Sequence, residues 1–143
     1  MSILVTDQGF APEDWGFGFH DTDALEATIG ASPNGFALDI ANDFDVTELA
    51  PYLDRIDLIR VAFPVFSDGR GFSQARRLRL LGFQGRLRAS GPLLSDQYAM
   101  ARRCGFDEVE IPDAMAKRQP QEHWRARADW REHDYQNRLR QFA

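Results

Sequence analysis

The sequence predicts an α/β fold of about four parallel βα units, on three observations. Short apolar or β-branched runs recur at 36–40, 58–63, 86–89 and 109–111, helical patterns separate them, and the links between are short. Such alternation implies parallel strands joined by right-handed crossovers. Two arrangements satisfy it: half of a (βα)8 barrel, which is preferred, or a small open doubly wound sheet. An irregular N-terminal arm over 1–35 precedes a single α/β domain over 36–143, which closes in a charged helical tail.

The arm is acidic and carries Gly9, Gly16, Gly18, Gly30 and Gly35 among the aromatics Phe10, Trp15, Phe17 and Phe19. It reads as a segment that lays aromatics onto its own domain or onto a partner subunit, with a short strand at 3–6. The run Phe36-Ala37-Leu38-Asp39-Ile40 is the first strand of the domain. Asp45-Val46-Thr47-Glu48 has the form of a capping box, and Val46, Leu49, Ala50, Leu53 and Ile56 follow at helical spacing. Leu58-Ile59-Arg60-Val61-Ala62-Phe63 has the composition of a buried parallel strand, stopped by Pro64. A helix is expected over 74–81, with Ala75, Leu78 and Leu81 inward, Arg76, Arg77 and Arg79 mostly outward, and Gly82 ending it. A weaker strand at 86–89 leads to a helix over 94–104, begun by Ser95 or Asp96 and closed by Gly105. Val109-Glu110-Ile111 is the last strand, stopped by Pro112. The tail over 114–140 offers Trp124, Trp130, Tyr135 and Leu139 as packing points, and Pro120 divides it or opens its longer part.

At 143 residues the chain falls in the range of one domain with one core. No apolar run approaches the roughly 18 residues of a membrane span, and the N-terminal residues do not resemble a secretory signal. A single cysteine, Cys104, rules out an internal disulfide and a cysteine-only metal site, which suits a reducing cytoplasm. The net charge of −5 hides a segregation: residues 1–57 hold twelve acids and one Arg, whereas residues 68–103 hold eight Arg and two Asp. Lys117 is the only lysine. The bias is explained either by GC-rich codons and internal Arg–acid pairing or by a functional basic face. The acidic total and the lack of a known module argue against nucleic-acid binding.

Loops that follow parallel strands open on one side, where α/β folds bind ligands. This gathers Asn42-Asp43, residues 64–73, residues 90–96 and Pro112-Asp113. The second is the richest. Its run Asp68-Gly69-Arg70-Gly71-Phe72-Ser73 sets two glycines around an arginine before a helix start, with Ser73 as a capping hydroxyl. Such a run can cradle a small oxyanion, with Arg70 as a bidentate clamp. Equally, Asp68 and Arg70 can pair with each other while the glycines shape a turn. Ser90-Gly91 offers a second niche of the same kind, and Asp96-Gln97 reads more readily as a cap than as an acid–base pair. Cys104 follows Arg102-Arg103 at a helix C-terminus, the wrong end of the dipole to activate a thiol. His20, His123 and His133 lack metal-ligand spacing, and no dinucleotide fingerprint, Walker loop, CxxC or Ser/His/Asp order is present. No cofactor and no metal are expected, and the sequence does not support an autonomous redox enzyme.

The run Phe63-Pro64, Phe66, Asp68-Gly69-Arg70-Gly71-Phe72-Ser73-Gln74-Ala75-Arg76, Leu78-Arg79, Gly82-Phe83, Gly85, Leu87-Arg88-Ala89, Gly91, Asp96-Gln97 and Arg103-Cys104-Gly105-Phe106-Asp107 resembles the bacterial family called domain of unknown function 934. Trp15 and Tyr135-Gln136 also fit its pattern, whereas Arg86 stands where the family often has Glu. The resemblance implies a role in assimilatory sulfite reduction, since such proteins are typically encoded beside the haem subunit of sulfite reductase. On that basis the expected function is an accessory protein that docks to sulfite reductase and assists electron delivery from a small acidic donor such as ferredoxin. The expected anion- or partner-binding residues are Asp68, Gly69, Arg70, Gly71, Phe72, Ser73, Arg76, Arg79, Arg88, Gly91, Asp96, Gln97, Arg103 and Cys104. The alternative is an oxyanion-binding enzyme or sensor that uses the loop over 68–73. A third option is a structural homodimer, which a half-barrel with an apolar edge would favour.

Overall fold

A computed structural model describes residues 2–23, 25–30 and 35–128. Trp130, His133, Tyr135, Gln136 and Leu139 lie outside the described residues. The chain opens with a hairpin, β1 (Ser2–Thr6) and β2 (Gly9–Ala11), followed by a short helix, α1 (Leu25–Gly30). Then come β3 (Ala37–Ile40), a 3-10 helix (Val46–Arg55), β4 (Leu58–Ala62), α2 (Arg70–Leu80) and β5 (Arg86–Ser90). A 3-10 turn (Ser95–Gln97) leads into α3 (Tyr98–Cys104), β6 (Glu108–Pro112), α4 (Asp113–Arg118) and α5 (Gln121–Arg125).

The strand order is β2-β1-β6-β5-β4-β3. Strands β3 to β6 are parallel and neighbour one another in chain order, so right-handed crossovers place all their connections on one face. That is the sequential arrangement of a half-barrel; a doubly wound sheet would reverse direction at a switch point. Beyond the four parallel strands, β1 is the short strand expected at 3–6, and only β2 was not expected. The β1–β2 hairpin pairs antiparallel with β6 and covers that end of the parallel array.

Period-two alternation divides the sheet into two chemically opposite faces. Leu38, Ile40, Ile59, Val61, Leu87, Ala89, Val109 and Ile111 face the helices and join Leu49, Leu53, Ala75, Leu78, Ala101 and Cys104 in one core. Phe63, Phe72 and Phe106 form an aromatic cluster, with ring centroids 5.0–6.5 Å apart. The other face carries Asp39, Arg60, Arg86, Arg88, Glu108 and Glu110, and the N-terminal arm lies across it. His20 closes the arm onto the far edge, where its N–H donates to the Ala37 carbonyl at 2.9 Å and its carbonyl accepts from Asp39 N–H at 2.8 Å. Of the arm's aromatics, Phe10 packs against the core and Phe19 lies over Arg60 of the domain, whereas Trp15 and Phe17 meet each other at 5.2 Å and Phe17 stays largely exposed.

The first crossover is a 3-10 helix rather than the expected α-helix. Pro51 lies within it and lacks an N–H, and Asp45 accepts from Thr47 N–H instead of completing the expected box with Glu48. Helix α2 begins at Arg70, four residues before the expected start, with Gly69 as N-cap. Ser73 is thus inside the helix and does not cap it. Glycine content hid this turn, yet Gly71 is set by packing: a Cβ there would lie 2.5 Å from the Phe63 ring. Gly91 is set likewise, since at φ 149° its Cβ would lie 2.0 Å from the Phe63 carbonyl oxygen. Pro120 opens α5, which buries Trp124 against Tyr98.

Because the Gly91 site combines a left-handed φ with a backbone obstacle, Gly91→Ala is expected to destabilise the fold by ~2 kcal/mol or more. Urea unfolding checks this, and an unchanged midpoint would show that Phe63 and Gly91 are not in close contact.

Candidate functional site

The loops after β3, β4 and β5 converge as their positions at the strand ends require. Asn42 Nδ2 donates to Asp68 at 2.8 Å, and Gln97 Nε2 donates to the Phe66 carbonyl at 2.7 Å. Gln97 Oε1 also accepts from Leu94 N–H at 2.9 Å, so this side chain ties the third of these loops to the second.

In the loop over 68–73, Asp68 occupies the place an anion would take at the head of α2. Its carboxylate accepts from Arg70 N–H at 3.2 Å, from Arg70 Nε at 3.0 Å and from Arg70 Nη2 at 2.7 Å. Hydrogen bonds from the Arg70 side chain and backbone hold the Asp68 carboxyl far below the usual carboxylate range. The Arg70 fork is therefore already engaged by a carboxylate of the same loop. This geometry favours the internal pair over a free oxyanion clamp.

The basic segment is likewise largely consumed inside the molecule. Arg88 is completely buried, and its guanidinium bonds Glu108 at 2.7 Å, Glu110 at 2.8 Å and Glu13 at 2.6 Å. Asp39, Arg60, Arg88 and Glu108 stand in direct register across four strands, so two neighbouring arginines are flanked on each side by a carboxylate in a single row. Arg60 binds Asp39 through two bonds, at 2.5 and 2.7 Å, and reaches Glu110 at 3.2 Å. Arg86 bonds Glu108 and, from the arm, Asp14 at 2.9 Å. Phe19 lies over this row, its ring centroid 3.6 Å from the Arg60 guanidinium carbon. Arg88 is thus a structural residue and does not contribute to a binding face.

Arg79 is similarly committed, donating to the carbonyls of Phe83, Gly85 and Gly105 and to Asp107. Asp96 pairs with Arg127 at 2.8 Å. Gly71 and Gly91 pack on Phe63, as described above, and Arg103 is exposed near the end of α3.

The remaining expected residues meet in one place. An open groove of about 810 Å³ between α2 and α3 is lined by Gly69, Phe72, Ser73, Arg76, Gln97 and Cys104, and by Phe66, Arg77, Leu80, Leu94 and Met100, which sequence reasoning did not single out. Cys104 is a buried thiol in this lining. Leu80 is 81% exposed, Met100 54% and Phe66 48%. Their signal in the sequence was faint, because Leu80 beside Leu81 reads as helix core. The charged row had a clearer trace: Arg86-x-Arg88 and Glu108-x-Glu110 put like charges on one side of neighbouring strands.

Among the described residues no group of three His, Cys, Asp or Glu is placed to hold a metal ion, and no helix is long and apolar enough to cross a membrane.

Glu13 fastens the arm. Partial burial pushes its carboxyl up, but hydrogen bonds from Arg88 and the Trp15 N–H outweigh this and hold it below the ordinary 4.5. A depressed acid stabilises above its unfolded pKa and loses that contribution as pH falls through the folded value. Amide exchange over residues 13–20, corrected for intrinsic rates, should therefore stay constant down to about pH 5 and rise below about pH 4. Glu13→Gln should loosen the arm at neutral pH and lack this acid step. Exchange that ignores both changes would refute the clasp.

Residues 37–142 match a family model described as a bacterial protein of unknown function, DUF934. No curated protein matches the chain.

Proposed function

From the premise that the chain belongs to this bacterial family, DUF934, we propose that it is an accessory protein of assimilatory sulfite reduction in the cytoplasm. In this reading it docks to the haem subunit of sulfite reductase and assists electron delivery from a small acidic donor such as ferredoxin. The observation that carries the docking reading is the groove between α2 and α3. There, large apolar side chains stand exposed beside Arg76 and Arg77 on a surface that no other described residue covers. Monomers seldom expose adjoining large apolar groups without a binding role. Arginines at the rim steer acidic partners and raise encounter rates.

The charge in this reading is local. Of the eight arginines over 68–103, Arg70, Arg79, Arg86, Arg88 and Arg102 form ion pairs within the molecule. Of the other three, Arg103 lies near the end of α3, and Arg76 and Arg77 line the groove on the exposed side of α2, Arg77 also interacting electrostatically with Asp45. The competing oxyanion reading loses its strongest support because Asp68 holds Arg70.

Purified protein mixed with the haem subunit of sulfite reductase and reduced ferredoxin at low ionic strength should form a complex by sedimentation and raise sulfide production at limiting ferredoxin. The effect should fade as ionic strength rises to about 0.3 M. Absence of both a complex and a turnover change would reject the proposal.

A further inference from the structure

We infer that the α2–α3 groove seats an amphipathic helix of a partner protein, with apolar side chains along its centre and acidic residues on its flanks. The inference deepens the docking reading above and rests on it only in requiring a protein partner.

The shape of the surface selects the occupant. Leu80, Met100 and Phe66 stand outward at 81, 54 and 48% exposure and surround a floor that includes Phe72, Leu94 and Cys104. Side chains so far out of the surface are covered by a broad partner rather than by a small ligand enclosed within walls. Two helices lying side by side, with apolar projections between them, present the receiving geometry of helix-in-groove recognition. Met100 adds an adaptable contact.

Charge then selects the partner's chemistry. Among the described residues the lining contains Arg76 and Arg77 and no Asp or Glu. Asp68, at the head of α2, is engaged by Arg70 and Asn42, and Asp45, which interacts electrostatically with Arg77 from the neighbouring pocket, does not line the groove. A second copy of this chain fits poorly through the same groove, because an isologous contact pairs this surface with itself, and its described lining residues include Arg76 and Arg77 but no carboxylate. Like charges so placed are penalised, whereas glutamates flanking an apolar seam would meet both guanidinium groups. The occupant is therefore a different, acidic chain.

The test uses the full chain and two fluorescent helical peptides with the same leucine seam, one with Glu flanks and the other with Lys flanks. By anisotropy the Glu peptide should saturate and bind at least tenfold more tightly than the Lys peptide. Leu80→Ser with Met100→Ser, or Arg76→Glu with Arg77→Glu, should each weaken it at least tenfold. These four side chains are exposed, and circular dichroism confirms that the variants stay folded. Equal binding of the two peptides, no binding of either, or indifference to both variants overturns the inference. A dimer in sedimentation that dissociates on Leu80→Ser also overturns it, by making a second copy the occupant. The two readings separate cleanly. If the Glu peptide binds as described while sulfite reductase forms no complex, the groove inference stands and the sulfite reading falls. If a sulfite reductase complex forms and ignores both variants, the groove inference falls alone.

Discussion

The structure is organised around one buried cation. Arg88 lies at the middle of the sheet with no exposure, and four carboxylates from two separate parts of the chain, Glu13 and Asp14 and Glu108 and Glu110, pair with it. An isolated guanidinium in that position would be severely unfavourable, and even a paired one stabilises only when its donors are well satisfied. The requirement is met from two directions. Strand β6 supplies Glu108 and Glu110 from within the sheet, and the arm supplies Glu13 and Asp14 from above it. Burial works against the charged form of Arg88, but its bond to Glu13 and the charges around it hold its pKa raised. One face of the sheet is thus a polar layer that must be roofed, and the arm is the roof.

This constraint accounts for the charge segregation. Acidic residues 1–57 and basic residues 68–103 look like two independent surfaces along the chain, yet the fold sets one against the other. Asp7 meets Arg102, Glu13 meets Arg88, Asp14 meets Arg86 and Asp39 meets Arg60. The hairpin and the arm enter the fold on these contacts, and each caps an edge or a face that sequential βα units leave open. The groove is what remains once that pairing is complete. Its arginines lie on the helix side of the sheet, away from the acidic arm, which is why an electrostatic feature survives there for a partner.

Much of this was legible in the sequence, and the losses have physical causes. The four parallel strands followed from β-branched runs, but short right-handed links left two strand orders open, and the pairing in the structure chooses the sequential one. Proline marked the ends of β4 and β6 and the start of α5. The β1–β2 hairpin was half visible, because β2 is only three residues long and is fixed by pairing to β1 rather than by its own pattern. The early start of α2 was hidden because Gly69 and Gly71 suggest a flexible loop, whereas close contact with Phe63 is what selects Gly71. At the candidate site, glycine and arginine spacing singled out the loop over 68–73. Which arginines remain available depends on partners tens of residues away, and spacing alone does not contain that information. Arg88 and Arg76 look equivalent in sequence, and the structure makes one a core residue and the other a rim residue.

The central claim is that the acidic arm and the Arg-rich strands are each other's partners. A double-mutant cycle between Glu13→Gln and Arg88→Met, read by urea unfolding of the full chain, addresses it most directly. The bidentate contact at 2.6 and 3.0 Å predicts a coupling of about 1–2 kcal/mol, tempered by the partial exposure of Glu13. Strictly additive effects of the two substitutions would contradict the account and leave the charge segregation to be explained by an external partner.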